Sequence, residues 1–452
     1  MKVCKFGGSS LADAEAVSTV CGIVAADRTR RIVVVSAPGR RQDDDTKVTD
    51  LLIACAKAKL AGRPGEPERA AVWARYEEIG RTLGLPAELM EELEQSLRAR
   101  FEADPVSRER YLDGMKAAGE DLCARLVAGA LRARGVEAGY VSPAEAGLLL
   151  SAEHGNAVVL PESYANLASL RERQGVSVFP GFFGVTKEGV TVTFPRGGSD
   201  ITAAVVAAAV KAEVYENFTD VDAVLAAEPS LVPEAQPIEE LTYREMRELS
   251  YAGFAVLHDE ALLPVVHAGI PICVKNTKRP DAPGTRIVPE RSGEHGKVVG
   301  IASGGGFCTI FVSKYLMNRE IGFGRRFLQI FEEEGLSYEH VPSGIDNLSI
   351  ILRETALTPE AEQHVCRRLK KELEVDDVDV ERGLALIMIV GEGMRFTVGL
   401  AARATRALAD VGVNVEMLNQ GSSEISMMFG VKAESRRRAV RSLYDTFFAE
   451  TS

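Results

Sequence analysis

The chain opens with blocks of continuous apolar residues separated by amphipathic stretches. Lys2–Phe6 and Arg31–Ser36 are short runs with little polar alternation, the pattern of parallel strands covered on both faces. Between them lie the loop Gly7-Gly8-Ser9-Ser10 and an amphipathic helix from Asp13 to about Ala26. Residues 46–134 read as mostly helical, with breaks at Gly62–Pro67 and Gly84–Pro86. A second strand-rich block predicts strands at Val176–Phe179, Val190–Phe194 and Val214–Phe218, with a helix over Ile201–Ala212. Tyr243–Ala268 predicts one long helix and Ile272–Lys275 a further strand. Strands alternating with helices in this way predict an α/β sandwich.

Residues 279–297 are rich in Pro, Gly and charge and mark a linker. They place a first domain at 1–290, a linker and first smaller module at 291–375, and a second module at 376–452. The two modules repeat at an offset of 77: Gly306 matches Gly383, Met317 matches Met394, Gly322 matches Gly399, and Arg326 matches Arg403. Gly335 with Gly412, Glu339 with Glu416, Gly344 with Gly421 and Ser349 with Ser426 keep the same register without a gap. The apolar helical face repeats as well, Phe323, Phe327, Ile330 and Phe331 against Leu400, Ala404, Ala407 and Leu408. Each copy reads as a compact α+β unit of the βαββαβ kind.

Composition narrows the class of partner. The net charge is −12 and hydrophobic residues make up 46%, which argues against nucleic acid or an anionic membrane surface as partner. The apolar runs are strand-sized, far short of the ~20 residues a membrane-spanning helix needs, and the N-terminus lacks an apolar signal core. Seven scattered cysteines without a paired spacing describe reduced thiols in a cytoplasmic protein. The six histidines show no metal-ligand spacing, so no metal site of the protein's own is predicted.

Four segments carry candidate chemistry. Lys5-Phe6-Gly7-Gly8-Ser9-Ser10 ends a strand in a lysine and continues through paired glycines and hydroxyls to a helix. Backbone N–H groups and the helix N-terminus suit a phosphate there, and Lys5 adds a full charge. The segment is neither the GxxxxGK[ST] loop nor GxGxxG; a glycine turn with a solvated lysine is the plain alternative. In Phe194-Pro195-Arg196-Gly197-Gly198-Ser199-Asp200 the arginine can grip a carboxylate bidentately, whereas Ser199 or Asp200 could simply cap the following helix. Thr219-Asp220-Val221-Asp222 places two carboxylates at a strand end, suited to ribose or magnesium or merely to a turn. Glu120 lies inside a predicted helix, where a lone glutamate is ordinarily solvated.

Taken together, KFGGSS, RGGSD, TDVD, VLHDEALLPV, VKNT and the duplicated tail resemble aspartate kinases, over essentially the whole chain. The tail is most similar to that of the monofunctional bacterial form under feedback control. The resemblance implies an amino-acid-kinase domain with an open, eight-stranded, mainly parallel sheet between helix layers, followed by two ACT modules. It also implies that Val298–Ser303 pairs with the second module, the first being inserted within it. The implied reaction is transfer of the γ-phosphoryl group of ATP, with Mg2+, to the side-chain carboxylate of L-aspartate, the first step toward lysine, threonine and methionine.

By motif position, the resemblance gives Lys5 and Asp200 catalytic roles. Lys5, Phe6, Gly7, Gly8, Ser9, Thr219, Asp220, Leu225 and Lys275 would bind ATP. Thr49, Glu120, Arg196, Gly197, Gly198 and Ser199 would form the aspartate pocket, with Arg196 on a carboxylate and Glu120 on the ammonium. An effector, lysine or threonine or both, would sit at Met317, Glu320, Gly322, Phe323, Gly324, Glu339, Val341 and Ser343. The helix from Phe323 would offer free N–H groups to its carboxylate, and Glu339 would be available for its ammonium. Thr397 stands where the first module has Glu320, so the two loops need not be equivalent. A homodimer through the ACT modules is expected. The family segment Gly-Ile-Tyr-Thr-Ala-Asp-Pro-Arg is here Ala223-Val224-Leu225-Ala226-Ala227-Glu228-Pro229-Ser230, a departure that bears on nucleotide affinity or base selectivity. The alternatives are another amino-acid kinase, of the acetylglutamate or glutamate type, and an inactive amino-acid sensor.

Overall fold

The computed structural model describes residues 1–195, 197–251, 253, 259–291, 298–421 and 425–449, with backbone alone for 259–262. Two compact units are resolved: Met1–Val224 with Pro237–Tyr243 and Ala255–Arg291, and Leu225–Gln236 with Arg244–Phe254 and Ser292–Ser452. Two segments that precede residue 290 therefore cluster with the C-terminal unit.

The N-terminal unit contains β1 (Lys2–Phe6), β2 (Arg30–Val35), β3 (Ala138–Tyr140), β4 (Val176–Pro180), β5 (Phe183–Val185), β6 (Thr191–Thr193), β7 (Val214–Thr219), β8 (Glu240–Thr242), β9 (Ile272–Asn276) and β10 (Thr285–Val288). Eight of them form one sheet in the order β3-β4-β2-β1-β7-β9-β10-β8, and β5 and β6 form a separate hairpin. Every pair in the large sheet is parallel except β9 with β10. The unbroken apolar runs follow from this burial: Ile32, Val33, Val34 and Val35 are all at most 1% exposed. Phe6 on β1 stacks on Phe218 on β7, ring centroids 4.7 Å apart. Helices Ala14–Ala26, Val48–Leu60, Glu66–Thr82, Ala87–Glu102 and Arg108–Ala133 share a core with β1 and β2. Asp13 caps the first of them, accepting from Ala16 N at 2.9 Å. The eight-stranded, mainly parallel sheet is the one the resemblance implied.

The single helix predicted over Tyr243–Ala268 is replaced by two, Tyr243–Tyr251 and Asp259–Ala268. Gly253, between them, has φ 123, a value that a right-handed helix does not tolerate.

The C-terminal unit adds β11 (Gly300–Ser313), β12 (Asn347–Arg353), β13 (Asp377–Val390), β14 (Met417–Asn419) and β15 (Ser426–Lys432), one sheet in the order β12-β11-β13-β15-β14. β11 and β13 run antiparallel along their whole length, Gly300 opposite Val390 and Ser313 opposite Asp377. Residues 300–305 thus lie beside 385–390, and β12 pairs only with the far half of β11. In this unit Glu228 pairs with Arg436 at 2.5 Å, and Gln236 N donates to the Tyr444 hydroxyl at 2.9 Å. The departing segment after Val224 is therefore tied to the last helix, Arg436–Phe448. Among the described residues no helix is long and apolar enough to cross a membrane, and all seven cysteines are free.

Candidate active site

β1 delivers Lys5 into the Gly7–Ser10 loop, and the helix Gly198–Ala209 starts on the second glycine pair. The two meet: Lys5 Nζ stands 2.8 Å from Asp200 Oδ1, and both residues are 9% exposed. Asn217 Nδ2, on β7, donates to the same oxygen at 3.1 Å. The capping alternative for Ser199 and Asp200 does not hold. Gly197, at φ 83, is the N-cap, without a side-chain cap bond, so Asp200 falls in the first helical turn and is turned onto Lys5. A Cβ on Gly198 would come within 2.7 Å of Phe182 and Phe194, and one on Gly181 within 2.7 Å of the Ser199 side chain. Ser199 is buried there. Arg196 lies outside the described residues.

Close backbone approach also defines the phosphate loop. A Cβ on Gly8 would lie 2.9 Å from the Ala37 carbonyl oxygen, and one on Gly39 2.6 Å from the Gly8 carbonyl carbon. Gly39 N donates to Gly8 O at 2.8 Å. The Phe6 side chain is fully buried against Phe218, so a direct ATP contact by its ring is ruled out. Gly7 N donates to Phe218 O at 3.4 Å.

Glu120 departs from the solvated reading. It is 5% exposed, Oε1 accepts from Ala37 N at 3.1 Å, and Oε2 is buried without a partner. Burial pushes its carboxyl up to about 8, although the Ala37 N–H pulls the other way. Gly119 explains the approach: a Cβ there would lie 2.7 Å from the Ala37 Cβ. A buried, half-satisfied carboxyl of this kind is poised to ionise against an incoming ammonium. Thr49 is half-buried in the first turn of the helix Val48–Leu60.

A cavity of about 560 Å³ opens beside the phosphate loop, lined among others by Ser9, Ser10, Arg40, Thr219, Asp220 and Lys278. Thr219 Oγ1 donates to Asp220 at 3.1 Å. Asp222 is committed elsewhere, paired with Arg279 at 2.5 Å and accepting from Asn276 at 2.7 Å. Lys275 is half-buried on β9, opposite Phe218. Leu225 is half-buried and belongs to the C-terminal unit. Among the described residues no group of three or more His, Cys, Asp or Glu is placed to hold a metal.

Residues 1–276 match the amino acid kinase family and residues 387–447 the ACT domain. The chain is 56% identical to aspartokinase 3 of Bacillus subtilis (strain 168) over 449 residues, 99% of each chain. It belongs to the aspartokinases. Among solved structures it resembles the aspartate kinase of Clostridium acetobutylicum, with TM-score 0.87 and 35% identity over 99% and 100% of the two chains. Aspartokinase III of Escherichia coli, solved with aspartate and ADP, is similar at TM-score 0.77 and 26% identity over 99% and 100%. The same enzyme solved with lysine and aspartate gives TM-score 0.79 and 27% identity over 99% of each chain.

In this aspartokinase the loop expected to hold an effector is well formed. Leu316 adopts φ 59, Met317–Arg319 is a single 3-10 turn, and Gly322 at φ 80 is the N-cap of the helix Phe323–Glu333. The second module repeats the pattern, with a turn at Glu392–Phe396 and Gly399 at φ 83. Met317 and Phe323 bury their side chains in the module core, and Val341 packs against that core. Glu320 pairs with Lys314 at 2.7 Å and with Arg326. Gly324 leaves open space where a Cβ would be, and Ser343 bridges to Leu348. Glu339 corrects its expectation. Its carboxylate is not free for an ammonium but pairs with Arg353 at 2.9 Å and accepts from the Tyr251 hydroxyl.

Sequence reasoning did not find Gly39, Asn217 or Gly119 as site-shaping residues. Pro38-Gly39 reads in the sequence as a turn, but the contact with Gly8 joins segments that no local pattern links.

Proposed function

We infer that this aspartokinase transfers the γ-phosphoryl group of ATP to the side-chain carboxylate of L-aspartate, giving 4-phospho-L-aspartate. The observation that carries the reading is the pairing of two different sites on one sheet end. One is a cationic phosphate loop with Lys5 on Asp200. The other is Glu120, buried, with an oxygen lacking a partner. Phosphates take the first and the α-ammonium of the acceptor the second.

In this reading Gly7, Gly8 and Ser9 cradle the phosphates, while Asp200 with Asn217 holds the Lys5 ammonium in place. The attacking carboxylate is already anionic, so no strong general base is required. Catalysis is positioning plus neutralisation of charge spread over the phosphoryl oxygens. Arg196 and Ser199 read the aspartate carboxylates, with Thr49 beside them, and Thr219, Asp220 and Lys275 serve the nucleotide. Magnesium would arrive with the nucleotide, with exposed Asp220 as the nearby carboxylate, and would supply charge neutralisation. Lysine, present in the related Escherichia coli structure, is the proposed effector class, with threonine as a second candidate, acting through the ACT modules of a cytoplasmic homodimer.

The test is a coupled ADP-release assay with aspartate, glutamate and acetylglutamate. Turnover with aspartate alone is expected. Turnover with either other acid at a comparable kcat/KM, or none with any, refutes the reading.

A further inference from the structure

The Lys5 charge is already shared with Asp200 at 2.8 Å, and a triphosphate brings several charges more. Arg40 lines the cavity that also contains Ser9, Thr219 and Asp220. Its neighbour Arg41 is occupied, paired with Asp45 and with Glu78, each at 3.0 Å. Among the described residues Arg40 has no ion-pair partner.

The loop 37–47 that bears Arg40 is not loose. Gly39 is pressed against Gly8, and Ala37 N is bonded to Glu120. Arg75, 5% exposed, clamps the rest: it donates to Gly39 O at 2.9 Å and to both oxygens of Asp45 at 2.8 and 2.7 Å. The same guanidinium reaches Ala12 O, just past the phosphate loop, at 3.4 Å. One guanidinium nitrogen thus spans both Asp45 oxygens while the other holds the Gly39 carbonyl, and a largely buried arginine engaged on both sides fixes geometry as well as charge. Arg41 pulls the Asp45 carboxyl well below the usual range, first through its hydrogen bond, so the clamp stays charged at neutral pH. The loop is therefore fastened to the phosphate site and to the ammonium site at once, and Arg40 on it lines the cavity.

We propose that Arg40 is a second catalytic cation, which contacts the ATP phosphates alongside Lys5, and that Arg75 and Asp45 are positioning residues that hold its loop. This rests on the assignment of the cavity to ATP. A preorganised cation loses less freedom on binding than one on a mobile loop, and contacts to ionised phosphate are among the stronger hydrogen bonds.

The test compares the parent with Arg40→Gln, Arg40→Lys, Asp45→Ala and the double variant Arg40→Gln/Asp45→Ala. Binding of a non-hydrolysable ATP analogue and of adenosine is measured calorimetrically, and kcat and KM for ATP are measured at saturating aspartate. For Arg40→Gln, analogue affinity and kcat/KM for ATP should fall roughly 10- to 100-fold, with adenosine affinity unchanged. Arg40→Lys should recover part of the loss. The double variant should be little worse than Arg40→Gln alone, because the clamp acts through Arg40. Unchanged analogue affinity and turnover, or an equal loss for adenosine, would overturn the phosphate role. Fully additive losses would overturn the clamp role. A parent that binds the analogue but releases no aspartate-dependent ADP would sink the kinase reading, while the binding measurements still decide the role of Arg40.

Discussion

Glu120→Gln separates what the glutamate does for substrate from what it does to the fold. The parent side chain is buried, one oxygen lacks a partner, and burial holds its carboxyl up at about 8 against an ordinary 4.5. The folded state therefore keeps a proton that the unfolded state releases. An acid raised in this way adds stability that is fully present below about 4.5 and is lost as pH rises through about 8. At ~1.4 kcal/mol per pH unit, the interval corresponds to a loss on the order of 5 kcal/mol. Glutamine keeps the acceptor for Ala37 N and cannot ionise. Ligand-free Glu120→Gln should match the parent at pH 5 and exceed it by about 2–4 kcal/mol at pH 8.5, read from urea unfolding midpoints. Aspartate should stabilise the parent strongly at the higher pH and the variant hardly at all, because its ammonium neutralises only the glutamate. The variant's KM for aspartate should rise at least ~100-fold, the scale of losing a buried charge partner, with analogue binding retained. Parallel stability profiles between pH 5 and 8.5, or an unchanged aspartate requirement, would refute the reasoning.

Lys5→Ala and Asp200→Ala should each lower kcat by at least ~10²-fold and, by leaving the partner's charge buried and unpaired, lower the unfolding midpoint as well; near-parent turnover in either folded variant removes the pair from the reaction. Arg196→Lys keeps the charge but loses the planar fork, so steady-state kinetics should show a large rise in aspartate KM with ATP affinity kept; an equal loss of ATP affinity would assign Arg196 to the nucleotide. Gly39→Ala forces a Cβ to within 2.6 Å of the Gly8 backbone and should cost ~1–3 kcal/mol of stability along with most turnover, whereas Gly114→Ala, which meets nothing within 4 Å, should be neutral or stabilising in the same melts. Gly322→Asp strains a position at φ 80 and sets an anion where an effector carboxylate would bind; lysine and threonine titrations should show weakened inhibition with uninhibited turnover near that of the parent, and unchanged inhibition by both would rule the loop out.

Local pattern carried the fold because its strongest signals are local. β1 and β2 are apolar without interruption since helices and neighbouring strands cover them, and the offset-77 repeat is visible without any structure. The break at Gly253 was not legible, because a single glycine inside an amphipathic stretch leaves the periodicity intact. The site was less legible than the fold. Lys5 and Asp200 stand 195 positions apart in sequence, and only the resemblance implied that they act together. Glu120 reads as an ordinary helical glutamate until the loop 37–47 is laid over it, an arrangement that Gly119 permits but does not announce. Glu339 reads as free because its partners Arg353 and Tyr251 stand 14 and 88 residues away.

The long strands β11 and β13 occupy equivalent places in the repeat, and they pair with each other end to end, Gly300 with Val390 and Ser313 with Asp377. The ribbon they form is a local two-fold, with Gly306 and Gly383, at φ 79 and φ 70, near its centre. This has a consequence for the order of events during synthesis. When residues 300–376 have emerged, the near half of β11 still lacks the strand that will cover its edge. That strand, residues 384–390, arrives next, and β15, which covers β13 in turn, comes some 40 residues later. The first module is thus committed to wait for the second, and contacts of such long sequence separation form slowly. Until they form, an apolar edge is open to other nascent chains. The tail should consequently fold in one late step, and a chain truncated at residue 376 should aggregate rather than yield a separate, soluble first module.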